Sequence, residues 1–386
     1  MRRAVFATAA LLAAGALVSR PSAQRGSQSD AVQVRAIEAP AHPLPPETET
    51  ARINKFAFFV YGDNRSAGPS RSGEPAPDGR EIQASHSAVV DAMLDTVPKV
   101  AASGFPVRFV VSTGDAVLYG PNGAMWNTSY VPVVERLTRQ AGLPLFLAPG
   151  NHDVTTRPVG DPDRELGLRN TLQAMANLMP RDESPRRLDG YATFSFGYGN
   201  CFFLVLDSNI ATDEKQLVWV TRQLEGLNRT RYRNVFAVFH HPPFGSGPHG
   251  GPLLEPESAA IRAVYLPLFH KHHVRMTLTG HEHLLDHFVE RYDDQGSTYR
   301  MDHLVTGGGG APTYTYRGEP DLQPYIERNA AQNVRIEHLV KPGVSIDENP
   351  HHFVIVRVDG TNLSLEVVAA RTAPYVPYGR QRVNLQ

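Results

Sequence analysis

Residues 56–65 read Phe-Ala-Phe-Phe-Val-Tyr-Gly-Asp-Asn-Arg, an apolar run that ends abruptly in a polar cluster. A run that is apolar at almost every position is typical of a strand buried on both faces of its sheet. The glycine lets the backbone turn sharply where the strand ends. This stretch therefore predicts a buried strand at residues 56–61 that delivers Asp63 and Arg65 to the end of a sheet.

The same order of a short apolar run and a helical segment recurs along the chain. Further strands are predicted at residues 108–112, 145–148, 201–206, 235–239 and 275–278. Apolar side chains at helical spacing predict helices at residues 87–97, 126–140, 166–178, 214–227 and 256–270. Alternating strands and helices indicate an α/β fold, with a mixed or parallel sheet covered by helices.

The C-terminal part of the chain follows a different pattern. Predicted strands near residues 299–305, 353–358 and 363–369 have no helices between them. They predict a second, antiparallel sheet. Irregular stretches at residues 66–79 and 312–350 predict long loops, and a further long loop is predicted at 155–189, around the predicted helix at 166–178. Loops of this kind commonly decide which substrate an enzyme accepts.

Polar clusters with metal-ligand side chains follow the predicted strands one after another. Asp63 follows the first strand, and later clusters read Gly-Asp, Gly-Asn-His-Asp, His-His-Pro-Pro and Gly-His-Glu-His at residues 114–115, 150–153, 240–243 and 280–283. Loops at the carboxyl ends of strands form the ligand crevice of α/β sheets. We therefore expect these clusters to converge in space, although they lie far apart in sequence.

The side chains of these clusters offer carboxylate and amide oxygens and imidazole nitrogens, without a thiolate. Such donors suit Mn²⁺, Fe or Zn²⁺ better than a soft metal. There are enough of them for two ions that share a bridging carboxylate. A pair of ions can activate water and hold the oxygens of an in-line displacement.

Composition and local motifs exclude several other classes of protein. The 38 basic and 39 acidic residues give a net charge of −1, which argues against electrostatic capture of nucleic acid. One cysteine, Cys201, excludes an intramolecular disulfide framework. His281-Glu282 does not continue as the His-Glu-x-x-His of zinc proteases, because Leu285 takes the last position. The chain contains neither a Gly-x-Ser-x-Gly nucleophile elbow nor a Walker loop.

Taken in order, these motifs resemble the calcineurin-like metallophosphoesterase family, which includes the purple acid phosphatases, over residues 56–310. The resemblance implies a four-layered αββα sandwich, in which two mixed sheets are flanked by helices. It also implies two divalent or trivalent metal ions (Mn, Fe or Zn). His152 would face the scissile phosphate and stabilise or protonate the leaving group. The implied metal ligands are Asp63 and His283 for the first ion, Asp115 as the bridge, and Asn151, His240 and His281 for the second ion.

The first motif departs from the family pattern. The usual motif is Asp-x-His, and Arg65 stands where that histidine would lie. Purple acid phosphatases use a tyrosine three positions after the bridging aspartate, but that position is Leu118 here, and Tyr119 follows it. The first ion is therefore expected to be weakly held, held with extra water, or absent. The planar guanidinium of Arg65 suits phosphate oxygens and predicts a phosphate clamp, with a structural salt bridge as the alternative.

His249 is a further catalytic candidate, in a Gly/Pro-rich loop at residues 245–251. By resemblance to purple acid phosphatases, a loop at this place brings histidines to the leaving group. His241, directly after His240, is a candidate of the same kind.

The N-terminus carries the pattern of an export signal. Arg2 and Arg3 precede an uncharged apolar run at residues 4–18, which is too short for a membrane span of about 20 residues. This predicts a signal peptide at residues 1–23, with an uncleaved anchor as the alternative. Polar, Pro-rich residues 24–52 predict a linker of little structure, followed by a metallophosphoesterase domain at 53–386 with long loop insertions. We therefore expect an exported bacterial protein, periplasmic or secreted, without a membrane span after cleavage.

The function expected from the sequence is metal-dependent hydrolysis of a small phosphorylated substrate, either a phosphomonoester or a phosphodiester. The resemblance implies attack by a metal-bound hydroxide at a dinuclear site. The alternative is a catalytically weak or inactive protein of the same fold that binds phosphate or metal. The sequence carries no signal for oligomeric state.

Overall fold

The fold is built around buried strands, which confirms the prediction made from the apolar runs of the sequence. In this computed structural model, residues 32–65, 79–251 and 254–385 are described, with the backbone alone for 79–83. Within these ranges the strands are β1 (Lys55–Tyr61), β2 (Val107–Ser112), β3 (Leu145–Leu147), β4 (Phe194–Tyr198), β5 (Cys201–Val205), β6 (Asn234–Val238), β7 (Met276–Thr279), β8 (Leu285–Asp294), β9 (Ser297–Thr306), β10 (Arg335–Val340), β11 (His352–Asp359), β12 (Asn362–Ala369) and β13 (Arg382–Leu385).

These strands form two mixed sheets. The six-stranded sheet has the order β13-β12-β11-β1-β2-β3, and its strands β1, β2 and β3 are parallel. The seven-stranded sheet has the order β10-β8-β9-β7-β6-β5-β4, with β5, β6, β7 and β9 parallel. The remaining pairings in both sheets are antiparallel.

Helices follow the strands at the predicted places. Two of the helical segments contain a π-helical turn, at Trp126–Tyr130 and at Ile261–Tyr265. The α-helices are α1 (Gly79–Ala102), α2 (Gly123–Met125), α3 (Val131–Gln140), α4 (Asn151–Val154), α5 (Pro162–Ala174), α6 (Glu214–Glu225), α7 (Pro256–Ala260), α8 (Leu266–Lys271) and α9 (Leu322–Arg328).

Side-chain alternation along the buried strands creates three apolar layers. Phe58 of β1 points between the sheets, where its ring meets Phe203 of the other sheet edge to face at 5.1 Å. Its neighbour Phe59 points the other way, into a core shared with helices α1 and α3. Helices α6, α8 and α9 cover the outer face of the second sheet in the same manner. The predicted four-layered αββα sandwich is confirmed.

The C-terminal strands do not form a separate antiparallel sheet, and that prediction was wrong. Strand β9 lies parallel to β7 in the second sheet, whereas β11 and β12 belong to the first sheet. Strand β11 lies antiparallel to β1, with Ile355 opposite Phe59. Partner choice over such a sequence separation depends on tertiary packing, which the alternation along one strand does not encode.

The segment predicted as a linker at residues 24–52 is structured in its described part, from Val32 onward. Val34 and Ile37 are buried against the helical layer, and the Ile37 backbone N–H donates to Ala174 O at 2.9 Å. The Glu47 carboxylate accepts hydrogen bonds from Tyr232 and Arg186. The compact unit accordingly begins at Val32 rather than at residue 53. The Pro-rich composition predicted little structure here, although Val34 and Ile37 anchor the segment by packing into the core.

The predicted signal peptide, at residues 1–23, lies outside the described residues. Within the described ranges, no helix combines the length and the apolar character that crossing a lipid bilayer requires.

Candidate metal centre

The predicted site residues meet at one edge of the two sheets. Asp63 follows β1, Asp115 follows β2, and the short helix α4 that follows β3 begins at Asn151. From the second sheet, His240 follows β6, and the turn after β7 carries His281 and His283. Because β1–β3 and β6–β7 run parallel within their sheets, their carboxyl ends bring these side chains together.

Three of these residues hold their backbone in the left-handed region. The φ angles are 59° at Asp63, 55° at Asp115 and 70° at His281. Non-glycine residues rarely adopt this conformation, and it concentrates at functional sites. The neighbouring Gly150 permits a very close approach, since a Cβ there would overlap the carboxylate and the backbone nitrogen of Asp115.

Asn151, His240 and His281 surround one point. The Asn151 Oδ1 atom lies 2.9 Å from His240 Nε2 and 3.2 Å from His281 Nδ1, and the two imidazole nitrogens are 3.1 Å apart. Asp115 Oδ1 lies 3.4 Å from His240 Nε2. These four atoms provide the nitrogen and oxygen donors that Zn²⁺, Mn²⁺ or Fe prefers.

The protonation of His240 shows why this point suits a cation. His240 Nδ1 lies 2.9 Å from the Thr113 carbonyl oxygen and so carries the proton, which leaves a lone pair on Nε2. Burial lowers the pKa of His240 even though Asp115 opposes the shift, so the ring stays neutral. The lone pair of Nε2 therefore faces the amide oxygen of Asn151 without a proton between them. Two facing acceptors require a positive charge, which a metal ion held by these residues would supply.

Asp63, Asp115 and His283 form a second group of potential ligands, with one donor atom from each within 4.8 Å of the others. His283 Nδ1 donates to Pro312 O at 2.7 Å, so its Nε2 lone pair faces Asp63 Oδ1 at 3.5 Å. Both Asp63 oxygens accept the His281 backbone N–H. Burial, reinforced by the charge of Asp115, raises the pKa of Asp63.

The Arg65 guanidinium lies against this second group. Its Nε is 3.2 Å from Asp115 Oδ2, and its Nη2 is 3.4 Å from His283 Nε2. Burial raises the pKa of Asp115, but the positive charge around it, which is permanent on Arg65, outweighs burial and holds the pKa below its usual range. The Arg65 side chain is 17% exposed, so part of it still reaches solvent.

His152 stands at the open side of the centre. Its Nδ1 donates to Leu118 O at 2.7 Å, which leaves Nε2 3.9 Å from Asp115 Oδ2, and its side chain is 29% exposed. Burial lowers the pKa of His152. Asp153 fixes the loop behind it by accepting backbone N–H bonds from Ala116, Val117 and Gly150. A role at the leaving group remains a prediction for His152.

Glu255 is a site residue that the sequence reasoning missed. Its Oε2 accepts the His281 Nε2–H at 2.7 Å, and its Oε1 pairs with His249 Nδ1 at 2.7 Å. Although Glu255 precedes helix α7, its carboxylate makes no capping hydrogen bond and turns to the histidines instead. No local sequence signal separates Glu255 from a surface acid, because its partners are distant in sequence.

Glu282 and Tyr314 also shape the site without having been predicted. Glu282 Oε1 accepts the backbone N–H groups of His249 and Gly250, which secures the loop that carries His249. Tyr314 stacks on His283 with ring centroids 4.1 Å apart. Tyr314 belongs to the long stretch at residues 312–350, so that stretch does reach the centre. Tyr119 is 42% exposed at the surface.

His241 lies next to the centre, with its ring centroid 4.5 Å from that of His281. Its Nδ1 contacts Ser208 Oγ at 2.9 Å, and its Nε2 is buried without a hydrogen-bond partner. His241 Nε2, Glu255 and His281 lie close enough to form a third potential group. His281 Nε2 is already committed to Glu255 there, which makes this group less suited to an ion than the point at Asn151.

With the geometry established, comparison with known proteins defines the class. The profile of the calcineurin-like phosphoesterase family matches residues 86–285. The chain belongs to this family, whose members depend on a pair of metal ions. The match includes Asp115, Asn151, His240 and His281, and it begins after Asp63. No curated protein sequence matches the chain significantly.

Solved structures resemble the chain in fold at low sequence identity. A purple acid phosphatase from yellow lupin (Lupinus luteus) seeds matches with a TM-score of 0.57 and 14% identity, over 89% of this chain and 55% of that one. The chain therefore spans about half the length of that phosphatase. The structure of PhoD matches with a TM-score of 0.51 and 11% identity, over 86% of this chain and 69% of that one. These similarities concern the fold alone.

Proposed function

We propose that the chain hydrolyses small phosphoric esters at the centre formed by Asp115, Asn151, His240 and His281. The observation that carries this proposal is the convergence of acceptor atoms from Asn151 and His240 without an intervening proton. These residues would hold a cation, which would serve as a Lewis acid towards a phosphoryl oxygen and would lower the pKa of water. The proposal is supported by His152, whose Nε2 lies 3.9 Å from Asp115 Oδ2.

The chain's own residues perform the remaining steps. His152 Nδ1–H is held on Leu118 O, so Nε2 is the atom that meets the substrate. A bound phosphoryl group brings negative charge to Nε2 and favours its protonated form, which can give its proton to the leaving oxygen. His249, paired with Glu255, stands on the other side of His281, with the two rings 4.5 Å apart, as a second donor towards the phosphate.

A metal-depleted preparation tests this proposal. We expect no hydrolysis of chromogenic monoesters and diesters after chelation, and recovery on addition of Mn²⁺, Zn²⁺ or Fe. His240→Ala should lose both bound metal and activity. His272→Ala, the same substitution beyond the end of helix α8, should retain both. Full activity in a preparation verified as metal-free would exclude the proposal.

The second candidate function is binding of phosphate or metal without turnover. It is favoured by Arg65, whose guanidinium lies on ligands of the first ion in place of the usual histidine. A binder of this kind would retain metal and bind inorganic phosphate, yet hydrolyse neither class of ester. The ester panel thus separates the two functions.

We also propose that the protein is exported, on the basis of the Arg2-Arg3 pair and the apolar run that follows. Fractionation of an expressing bacterium, with N-terminal sequencing of the mature protein, tests this. A chain that begins at Met1 and remains in the cytoplasm would contradict it.

A further inference from the structure

We propose that the Arg65 guanidinium takes the place of the first metal ion, so that the centre binds one ion per chain. This inference rests on the proposed metal function and concerns only how many ions serve it. The remaining ion lies among Asp115, Asn151, His240 and His281. The charge of the missing ion is replaced by a side chain.

The two oxygens of Asp115 face different partners, one the proposed ion position and the other Arg65. Oδ1 faces the point shared by His240 and Asn151, 3.4 Å from His240 Nε2, and accepts the His152 backbone N–H at 3.0 Å. Oδ2 faces the other way and accepts the Arg65 Nε–H at 3.2 Å. The carboxylate thus bridges the ion position and the guanidinium, in the arrangement expected of a carboxylate that bridges two ions.

The two groups of ligands differ in whether positive charge is already present. At the point near Asn151, the amide oxygen and the imidazole lone pair of His240 face each other with no donor between them. At the other group, the lone pair of His283 Nε2 has Arg65 Nη2 at 3.4 Å as a donor. Only the first arrangement lacks the charge that its ligands require.

The identity of residue 65 explains why a second ion is excluded. A histidine at this position would add a neutral ligand, whereas arginine adds a permanent positive charge. A divalent ion among Asp63, Asp115 and His283 would lie next to that charge at short range, in a buried site where repulsion is poorly screened. Tyr314, stacked on His283, holds the imidazole against the guanidinium.

Metal counting tests the inference. The wild-type chain is depleted of metal, reloaded with Mn²⁺, freed of excess ion and analysed by mass spectrometry of the metal and by electron paramagnetic resonance. We expect one Mn²⁺ per chain, with the spectrum of an isolated ion. Arg65→His should bind a second Mn²⁺ and show the spectrum of a spin-coupled pair.

A matched pair of variants tests the same point without altering Arg65. In a one-ion centre, Asp63→Asn leaves the count at one, and His240→Ala reduces it to none. In a two-ion centre, Asp63→Asn lowers the count from two. Two ions in the wild-type chain would overturn the inference and leave the proposed function intact. A chain that binds no Mn²⁺ and needs no metal for hydrolysis would overturn the proposed function itself.

Discussion

The substitution Glu255→Gln tests the hydrogen bonds that connect Glu255 with His281 and His249. The carboxylate accepts hydrogen bonds from His281 on one oxygen and His249 on the other, both at 2.7 Å. Glutamine keeps the shape but offers only one acceptor oxygen, so one of the two contacts must be lost. If the His281 contact is lost, the imidazole loses the partner that fixes its proton on Nε2 and its lone pair on Nδ1.

The size of the effect follows from the exposure of Glu255. A hydrogen bond to a charged group contributes about 1.5–3 kcal/mol, and 1.36 kcal/mol corresponds to about tenfold in an equilibrium constant. The Glu255 side chain is 25% exposed, so water replaces part of the lost contact, and the lower end of that range applies. We expect metal affinity to fall by about tenfold, within the range typical of residues that support a metal-bound histidine.

Competition with a chromogenic chelator measures this affinity directly. Glu257→Gln, the same substitution in the first turn of helix α7, is the matched control, because Glu257 contacts neither His281 nor His249. Nuclear magnetic resonance titration provides a second measurement. The Glu255 hydrogen bond outweighs burial and raises the pKa of His249, so the variant should deprotonate His249 at lower pH. Unchanged metal affinity together with an unchanged His249 titration would refute the reasoning.

Three further substitutions test other parts of the structure. Asp115→Ala removes the carboxylate that faces both ligand groups, and we expect loss of bound metal and of hydrolysis, measured together. Gly150→Ala forces a Cβ into Asp115 and should likewise release metal from a folded chain, as judged by circular dichroism. Burial opposes ionisation of Glu290, but hydrogen bonds from His270 and His303 lower its pKa from 4.5 to about 2. The ionised form therefore stabilises the fold above about pH 4.5, and this contribution disappears as the pH falls towards 2. In the wild-type chain, the free energy of unfolding should fall by about 1–3 kcal/mol for this reason, as measured by urea denaturation at acidic pH. Glu290→Gln should not show this decrease.

Burial on both faces made most of the central strands predictable. The runs that became β1, β2, β5 and β6 are apolar almost throughout, and such runs have few alternatives to a buried strand. The bounds of strand β8 were not predicted, because the strand contains charged residues. Among them is Glu290, which is buried together with its partners His270, His303 and Tyr325. That pairing is tertiary and leaves no periodic signal in the sequence.

In the metal centre too, some residues could be predicted from local sequence, whereas others depend on tertiary contacts. Donors that follow predicted strands, such as Asp63, Asn151 and His281, could be placed at one edge because the ends of parallel strands converge. Glu255 could not, because its role depends on how helix α7 approaches the turn after β7. The expectation for Arg65 was divided between a phosphate clamp and a salt bridge. The structure shows the guanidinium on Asp115, and the clamp remains a prediction for the exposed part of the side chain.

The left-handed turns at Asp63, Asp115 and His281 have a consequence for the history of this chain. Each conformation costs of the order of 1–3 kcal/mol for a residue with a side chain, with aspartate near the low end. Glycine at these positions would relieve that strain, with loss of the hydrogen bonds that the two carboxylates accept. A lineage released from chemistry would therefore be free to drift towards glycine there. Two carboxylates and an imidazole in such turns are what we expect of a lineage still selected for what those side chains bind.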